Sequence, residues 1–332
     1  MRKLLIGATI LGSMLATTAM ATDLRLGHWL PAQHPIQAGF EAWAAAAKEK
    51  SGGSLNFSFF PAAQLGAAND HYDMAKGGIV DLAWIAIGYT PGKFPVAEYL
   101  DVPFAFDVDP VVANKAINAW YAEFAEKEMP DVKLCFVHLM PAGYLHTKRE
   151  IKAPEDAKGL RIRPASAAVS TYFTSLGNTS VPLPVTEAQQ AMEKGVADAI
   201  SLAYNSVNLY GIDANLKYHL DTPLYYPGGA VVMNKNTYAR LTDTERAAID
   251  QYCSGEGAVI ASSGWHEWEA EGRSVMEAKG GHHFYVPSEI EHELWKANAK
   301  PVVDQWRQLV ENAGHDADSL LDDLAEQIRL AQ

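Results

Sequence analysis

From residue 24 onward, short apolar strands and helices alternate with a regularity that admits few folds. LRLGHW (24–29) reads as a strand, IQAGFEAWAAAAKEKSGG (36–53) as a helix closed by Gly52 and Gly53, and LNFSFFP (55–61) as a second strand. AANDHYDMAKGG (67–78) follows as a second helix and VDLAWIAIGY (80–89) as a third strand. Serial βα units return each strand beside the last through a right-handed crossover, which yields a largely parallel sheet with helices on both faces. The fold class is α/β.

A second series begins at VKLCFVHLMPAGYLHTK (132–148). It continues through the strand LRIRP (160–164), a helix over about 166–176, the strand TSVPLP (179–184), the helix TEAQQAMEKG (186–195) and the strand DAISLAY (198–204). Thr186 can cap that helix and Gly195 can end it. LYYPGGAVVMNKNTY (224–238) supplies a further strand, and long helices close the chain, one of them spanning 243–279. Two α/β halves imply a cleft between them. The absence of a low-complexity linker implies that more than one strand crosses from half to half. The expected division is 22–140 with 229–267 as the first domain and 141–228 with 268–332 as the second.

The opening MRKLLIGATILGSMLATTAMA has two cations, an apolar run and the small-x-small triplet Ala19-Met20-Ala21. That is the form of a secretory leader cleaved before Thr22, and the run is too short to span a bilayer. With a net charge of −13 the chain is no candidate for nucleic-acid binding, which needs basic patches against phosphate. Cys135 and Cys253 would meet an oxidising compartment and can pair, or stay as two buried thiols. They lie too far apart in sequence to read as a metal motif, and nothing calls for a cofactor. No nucleophile elbow, dinucleotide fingerprint or phosphate loop is present. HEWEA (266–270) and HELWK (292–296) each lack the second histidine at i+4 that a zinc-binding helix requires.

The stretch GLRIRPAS (159–166) carries the most pointed chemistry. On a strand, Arg161 and Arg163 share a face opposite Leu160 and Ile162, and Pro164 stops the ladder, so Arg163 stands at the strand's carboxyl end. In an open α/β sheet ligands gather there, and a guanidinium holds a carboxylate by two parallel hydrogen bonds. An exposed ion pair with Glu155 or Asp156 fits the same pattern.

Six segments together resemble the periplasmic substrate-binding proteins of tripartite ATP-independent (TRAP) transporters, of the dicarboxylate-binding type in the broad sense. They are GHWLPAQHPI, FFPAAQLG, DLAWIAIGYTPGKFPVAEYLDVPFAF, IKAPEDAKGLRIRPAS, PVTEAQQAMEKGVADAI and GGAVVMNKNTY, in that order over essentially the whole mature chain. The resemblance implies a two-lobed periplasmic binding protein of type II-like architecture, with hinge strands and long C-terminal helices. It implies a periplasmic receptor, not an enzyme, that binds a small organic acid and passes it to TRAP membrane permease subunits. The family's carboxylate-binding arginine falls on Arg163.

Resemblance and strand ends together add Trp84, Tyr89, Gln64, His28, Tyr144, His146, Tyr204 and Asn234 as ligand-binding candidates. Ala199, Leu202 and Ala203-Tyr204-Asn205 depart from the family's pattern, so the solute cannot be copied from a relative. Aromatic acids, hydroxy acids, dicarboxylates and sulfonates all stay open, as does monomer against dimer. On the residues alone, a secreted α/β enzyme acting on a small carboxylic acid and a solute-sensing partner of a membrane receptor are the rival readings.

Overall fold

The computed structural model describes residues 21–332, and the expected leader lies outside them. The chain opens with β1 (Thr22–Gly27), α1 (Pro35–Lys50), β2 (Leu55–Phe60), α2 (His71–Lys76), β3 (Leu82–Ala86), α3 (Pro110–Glu128) and β4 (Val132–Leu139). It continues with β5 (Gly143–Thr147), β6 (Arg161–Arg163), α4 (Ala167–Ser175), β7 (Thr179–Ser180), α5 (Ala188–Glu193), β8 (Ala199–Leu202), α6 (Tyr204–Leu209) and β9 (Tyr218–Tyr225). The last third holds β10 (Gly228–Asn234), α7 (Lys235–Arg240), α8 (Asp243–Tyr252), α9 (Gly255–Ala270), α10 (Gly272–Lys279), β11 (His283–Tyr285), α11 (Glu289–Ala297), α12 (Lys300–Asn312) and α13 (Ala317–Ala331).

Helix ends follow local chemistry. His34 Nδ1 accepts from the Ile36 N–H at the start of α1, with Pro35 in the first turn where its missing donor costs nothing. Thr242 with Glu245, and Ser288 with Glu291, form reciprocal capping boxes on α8 and α11. The 19-residue α3 is not read from the sequence, although Asp109 caps it and Pro110 opens it.

The strands form two sheets, ordered β2-β1-β3-β10-β4 and β11-β9-β5-β8-β6-β7. The sheets are mixed rather than largely parallel: β10 runs antiparallel to both β3 and β4, and β5 antiparallel to both β8 and β9. These are the strands adjoining the crossings. β4 leads through Met140–Ala142 into β5, and β9 returns through Tyr226-Pro227 to β10. Pro227 cannot donate to a ladder, which splits the one expected strand into two. A third crossing runs from α9, packed on α1, α3 and β4, into α10, packed on α6.

The expected single helix over 243–279 is therefore three helices. It breaks at Cys253, tied by a disulfide to Cys135 of β4. It breaks again at Glu271-Gly272, where the chain presses so close to α6 that a Cβ on Gly272 would lie 2.4 Å from the Asn205 nitrogen.

The C-terminal helices also depart from the expected division. In α11 the backbone oxygen of Trp295 accepts from Tyr172 Oη of α4 at 2.9 Å. Trp306 Nε1 of α12 instead donates to Pro95 O at 3.0 Å, and α13 lies along α3, whose Trp120 Nε1 donates to Leu320 O at 2.9 Å. α12 also packs on α4 and so bridges the two units, and α13 is the element that returns to the first, where α3 offers the apolar face that Leu320 and Leu324 cover. One buried cluster runs from Ile85, Val137 and Val232 in the first sheet to Leu145, Ile162 and Leu220 in the second. The two lobes share a core at their junction. Among the described residues no helix is long and apolar enough to cross a membrane.

The disulfide closes a loop with a sequence separation of 118, and restricting a loop that long in the unfolded chain stabilises the fold by ~2–5 kcal/mol. Cys253→Ser, or reduction in dithiothreitol, is expected to lower the melting temperature by several degrees in calorimetry. An unchanged melting temperature would show that the bridge contributes nothing.

Candidate functional site

β1, β3, β6 and β8 end toward one another, and between their carboxyl ends lies a partly open cavity of ≈ 60 Å³. Its lining joins both lobes: Trp29, Trp84, Tyr89 and Trp265 from the first, Arg163, Leu202, Ser206, Tyr210 and Tyr225 from the second, and Met140, Pro141 and Pro227 from the crossings. The volume exceeds what one water needs, and aromatic rings and aliphatic carbons form most of the wall.

The rings are locked to one another. Trp29 stacks against Tyr89 at 5.2 Å and tilts against Trp84 at 4.9 Å, and Trp84 meets Trp265 at 6.1 Å edge to face. Trp84 Nε1 donates to His138 Nε2 at 2.9 Å, which fixes the Trp84 plane from behind.

Arg163 is the charged group in this wall. It is 1% exposed, on the last residue of a three-residue strand, where Pro164 prevents the ladder from continuing. Its Nε donates to Leu183 O and one Nη to Tyr89 Oη, both at 3.0 Å. Tyr89 Oη also accepts from the Val185 N–H at 3.3 Å, so this phenol reaches across the cleft to the second lobe. The guanidinium carries five donors, and these contacts use two. No carboxylate pairs with it among the described residues. The neighbouring Arg161 is half exposed and paired with Asp198 at 2.8 Å, which fills the ion-pair alternative for Arg161 and with a different partner from Glu155 or Asp156.

Four further polar atoms of the lining have no partner: Trp29 Nε1, Trp265 Nε1, Tyr210 Oη and Asp101 Oδ2. Asp101 Oδ1 accepts from the Gly228 N–H at 3.0 Å. Burial pushes its carboxyl up to about 7, against that N–H and with a smaller push from Glu98. Glu269, behind Ser206, is likewise raised to about 7 by burial, although the N–H groups of Asn205 and Ser206 and the Ser206 hydroxyl all bond it.

Of the residues singled out in the sequence, the cavity gathers Arg163, Trp84 and Tyr89. The others lie elsewhere, for identifiable reasons. Gln64 is exposed on the turn after β2, the edge strand farthest from the crossings. His28 is buried one residue short of the lining, with Nε2 against Gln37 Oε1 at 2.7 Å. Asn234 caps α7, accepting from Thr237 N and donating to Ala75 O, at the far end of β10, ~20 Å along the strand from Gly228. Tyr144 and His146 share one face of β5, and the pleat turns both away from the side on which Gly143 meets the cavity. His146 Nδ1 instead sits 2.7 Å from His219 Nδ1, and His219 Nε2 2.8 Å from His282 Nδ1. Tyr204 turns into the second lobe's core, its hydroxyl donating to Asp221 Oδ1 at 2.9 Å.

Comparison with known proteins gives a consistent result. The family model described as bacterial extracellular solute-binding protein, family 7, matches residues 26–309. A solute-binding protein of Verminephrobacter eiseniae is 23% identical, covering 84% of this chain and 84% of its own. Among solved structures, a TRAP solute binding protein from Rhodoferax ferrireducens, with copurified benzoate, superposes with a TM-score of 0.87 at 26% identity, covering 94% of this chain and 98% of that one. A marine metagenome TRAP protein specific for aromatic acid ligands, with 3-hydroxybenzoate, gives 0.87 at 25% identity, covering 94% and 99%.

The buried histidines around the cavity set an acid limit. Burial, the first cause throughout, lowers His28 and His146 to about 4, His34 and His138 to about 3, and His219 to about 2. The unfolded chain takes up these protons below about pH 6.5 while the fold does not, so their effect is lost stability as pH falls. Glu98, Asp101 and Glu269, raised to about 7, act in the opposite sense over the same window. His71, His266 and His282 are lowered as well and Glu128 is raised, so eight depressed bases stand against four raised acids. The melting temperature is expected to fall between pH 6.5 and 4, and a rise over that range would contradict the assignment.

Proposed function

Because the chain belongs to the bacterial extracellular solute-binding proteins of family 7, the solute receptors of TRAP transporters, we propose that it captures an organic acid between its lobes by pairing the acid group with Arg163. We further propose that it works in the periplasm, releases its solute chemically unchanged and delivers it to a TRAP membrane permease.

One observation carries this reading: a buried guanidinium with no carboxylate partner faces a cavity walled mostly by aromatic rings and aliphatic carbons. A buried charge without a counter-charge is costly, and the cost is removed when an anion enters. Trp29 Nε1 and Tyr210 Oη, both donors without acceptors, favour the same sign of ligand. The stacked walls favour a flat, apolar body, so the solute is an aromatic monocarboxylate of the size of benzoate. The benzoate and 3-hydroxybenzoate held by the Rhodoferax and metagenome proteins support that choice. Tyr89, bonded across the cleft to Arg163 and Val185, joins the closing of the lobes to the arginine that holds the solute.

Isothermal titration with benzoate tests it. Arg163→Ala is expected to weaken binding ~100-fold or more, the cost of leaving one side of a buried pair unmatched. Arg161→Ala, whose guanidinium is occupied by Asp198 outside the cavity, is expected to change it less than about threefold. Equal affinity of the Arg163→Ala variant and the parent protein would overturn the assignment.

A further inference from the structure

We infer that the carboxyl of Asp101 is a second recognition point of the cavity, selecting acids that carry a hydroxyl group on the body of the molecule over those that present bare hydrocarbon there. This rests on the reading of the cavity as an aromatic-acid site and adds a substituent to it.

Asp101 is 1% exposed. One oxygen is fixed by the Gly228 N–H, which holds the carboxyl in place at the point where β10 begins. The other, Oδ2, has no partner although it is buried in the lining. A buried carboxyl oxygen left unpaired in a mostly apolar cavity costs stability, and folds avoid it unless a ligand or a water completes the bond. Gly88, itself part of the wall, brings its backbone close against this oxygen: a Cβ there would lie 2.5 Å from Oδ2 and 2.2 Å from the Ser166 Cβ, so only glycine fits beside it.

The chemistry of the missing partner follows from the surroundings. With burial raising it to about 7, this carboxyl is populated in both protonation states at neutral pH. A hydroxyl suits both, donating to the carboxylate or accepting from the acid. An ammonium would bring three donors to a wall that offers one free carboxyl oxygen, its remaining orphans being the Trp29 and Trp265 indole N–H groups and the Tyr210 hydroxyl. A second carboxylate would set like charge beside Asp101. A ligand of bare hydrocarbon would bury Oδ2 with no bond at all, and sites built around a substrate hydroxyl reject analogues that lack it. Tyr225, whose phenol feels both Arg163 and Asp101, lies near both groups, which places the two recognition points in one chamber.

The test is calorimetric titration of the full mature chain with benzoate, its 2-, 3- and 4-hydroxy derivatives and the corresponding methoxy compounds. At least one hydroxybenzoate is expected to bind about tenfold or more tighter than benzoate, the worth of a hydrogen bond to a charged or buried carboxyl, with its methoxy counterpart losing that gain. Asp101→Leu is expected to lose the preference for the hydroxyl, the ratio of hydroxybenzoate to benzoate affinity falling to about one. Asp101→Asn, which keeps a polar group at Oδ2 and the bond to Gly228, is expected to restore part of that preference. If benzoate binds through Arg163 but no hydroxybenzoate exceeds it, or if the preference survives in Asp101→Leu, the role of Asp101 is wrong while the receptor reading stands. If neither benzoate nor any of its hydroxy derivatives binds the parent protein, the aromatic-acid reading and this inference fall together. Should Asp101→Leu not fold, the hydroxy, methoxy and unsubstituted series on the parent protein decides the matter alone.

Discussion

A guanidinium buried in an apolar chamber without a counter-charge of its own is the constraint on which the rest of this molecule turns. Arg163 is held by a backbone carbonyl and a phenol, which orient it but cannot neutralise it. Asp101 lines the same chamber, but burial raises its carboxyl to about 7, so at neutral pH it supplies only a partial counter-charge. The chamber therefore keeps a net preference for negative charge. Aromatic walls raise that preference in strength, because they exclude the water that would otherwise screen the cation.

The architecture exists to bring such a group to the meeting point of two sheets. Arg163 comes from the second lobe, while the aromatic rings against it come mainly from the first. Two strand crossings and the α9–α10 connection carry the chain between lobes, and the carboxyl ends of β1, β3, β6 and β8 face the gap. Disulfide, capping boxes and the return of α13 onto α3 stiffen each unit. Met140–Ala142, Tyr226-Pro227 and Glu271-Gly272 are the segments that join the lobes. Met140 and Pro227 also line the chamber, so an acid held as proposed would touch two of those three joints.

Much of this is legible in the linear chain, and the reason is local. Period-two alternation and Pro164 place Arg163 at a strand end, and the same logic places Trp84 and Tyr89 on the third strand and the turn after it. Repeated βα units give the α/β class. What fails is whatever depends on distant pieces meeting. Tyr144, His146 and Tyr204 lie on or beside strands that reach the chamber, but a one-residue step in the pleat turns them to the other face. Asn234 is on β10 but at its wrong end. Asp101 and Trp265 come from the end of a short 3-10 helix (Ala97–Asp101) and from α9, with no periodic signal toward the site. Asp101 stands within one of the segments that carry the family resemblance, and only its unpaired oxygen sets it apart. The helix α3 is passed over although Asp109 and Pro110 announce it, and with it goes the reason why α13 crosses back.

The most direct measurement is a crystal structure of the protein with its organic acid bound. The account predicts a carboxylate oxygen at hydrogen-bond distance, about 2.7–2.9 Å, from a terminal nitrogen of Arg163, with the body of the acid between Trp29 or Trp84 and the second lobe. An acid group seated away from Arg163, with the guanidinium bonded as before to Leu183 and Tyr89 alone, would contradict it.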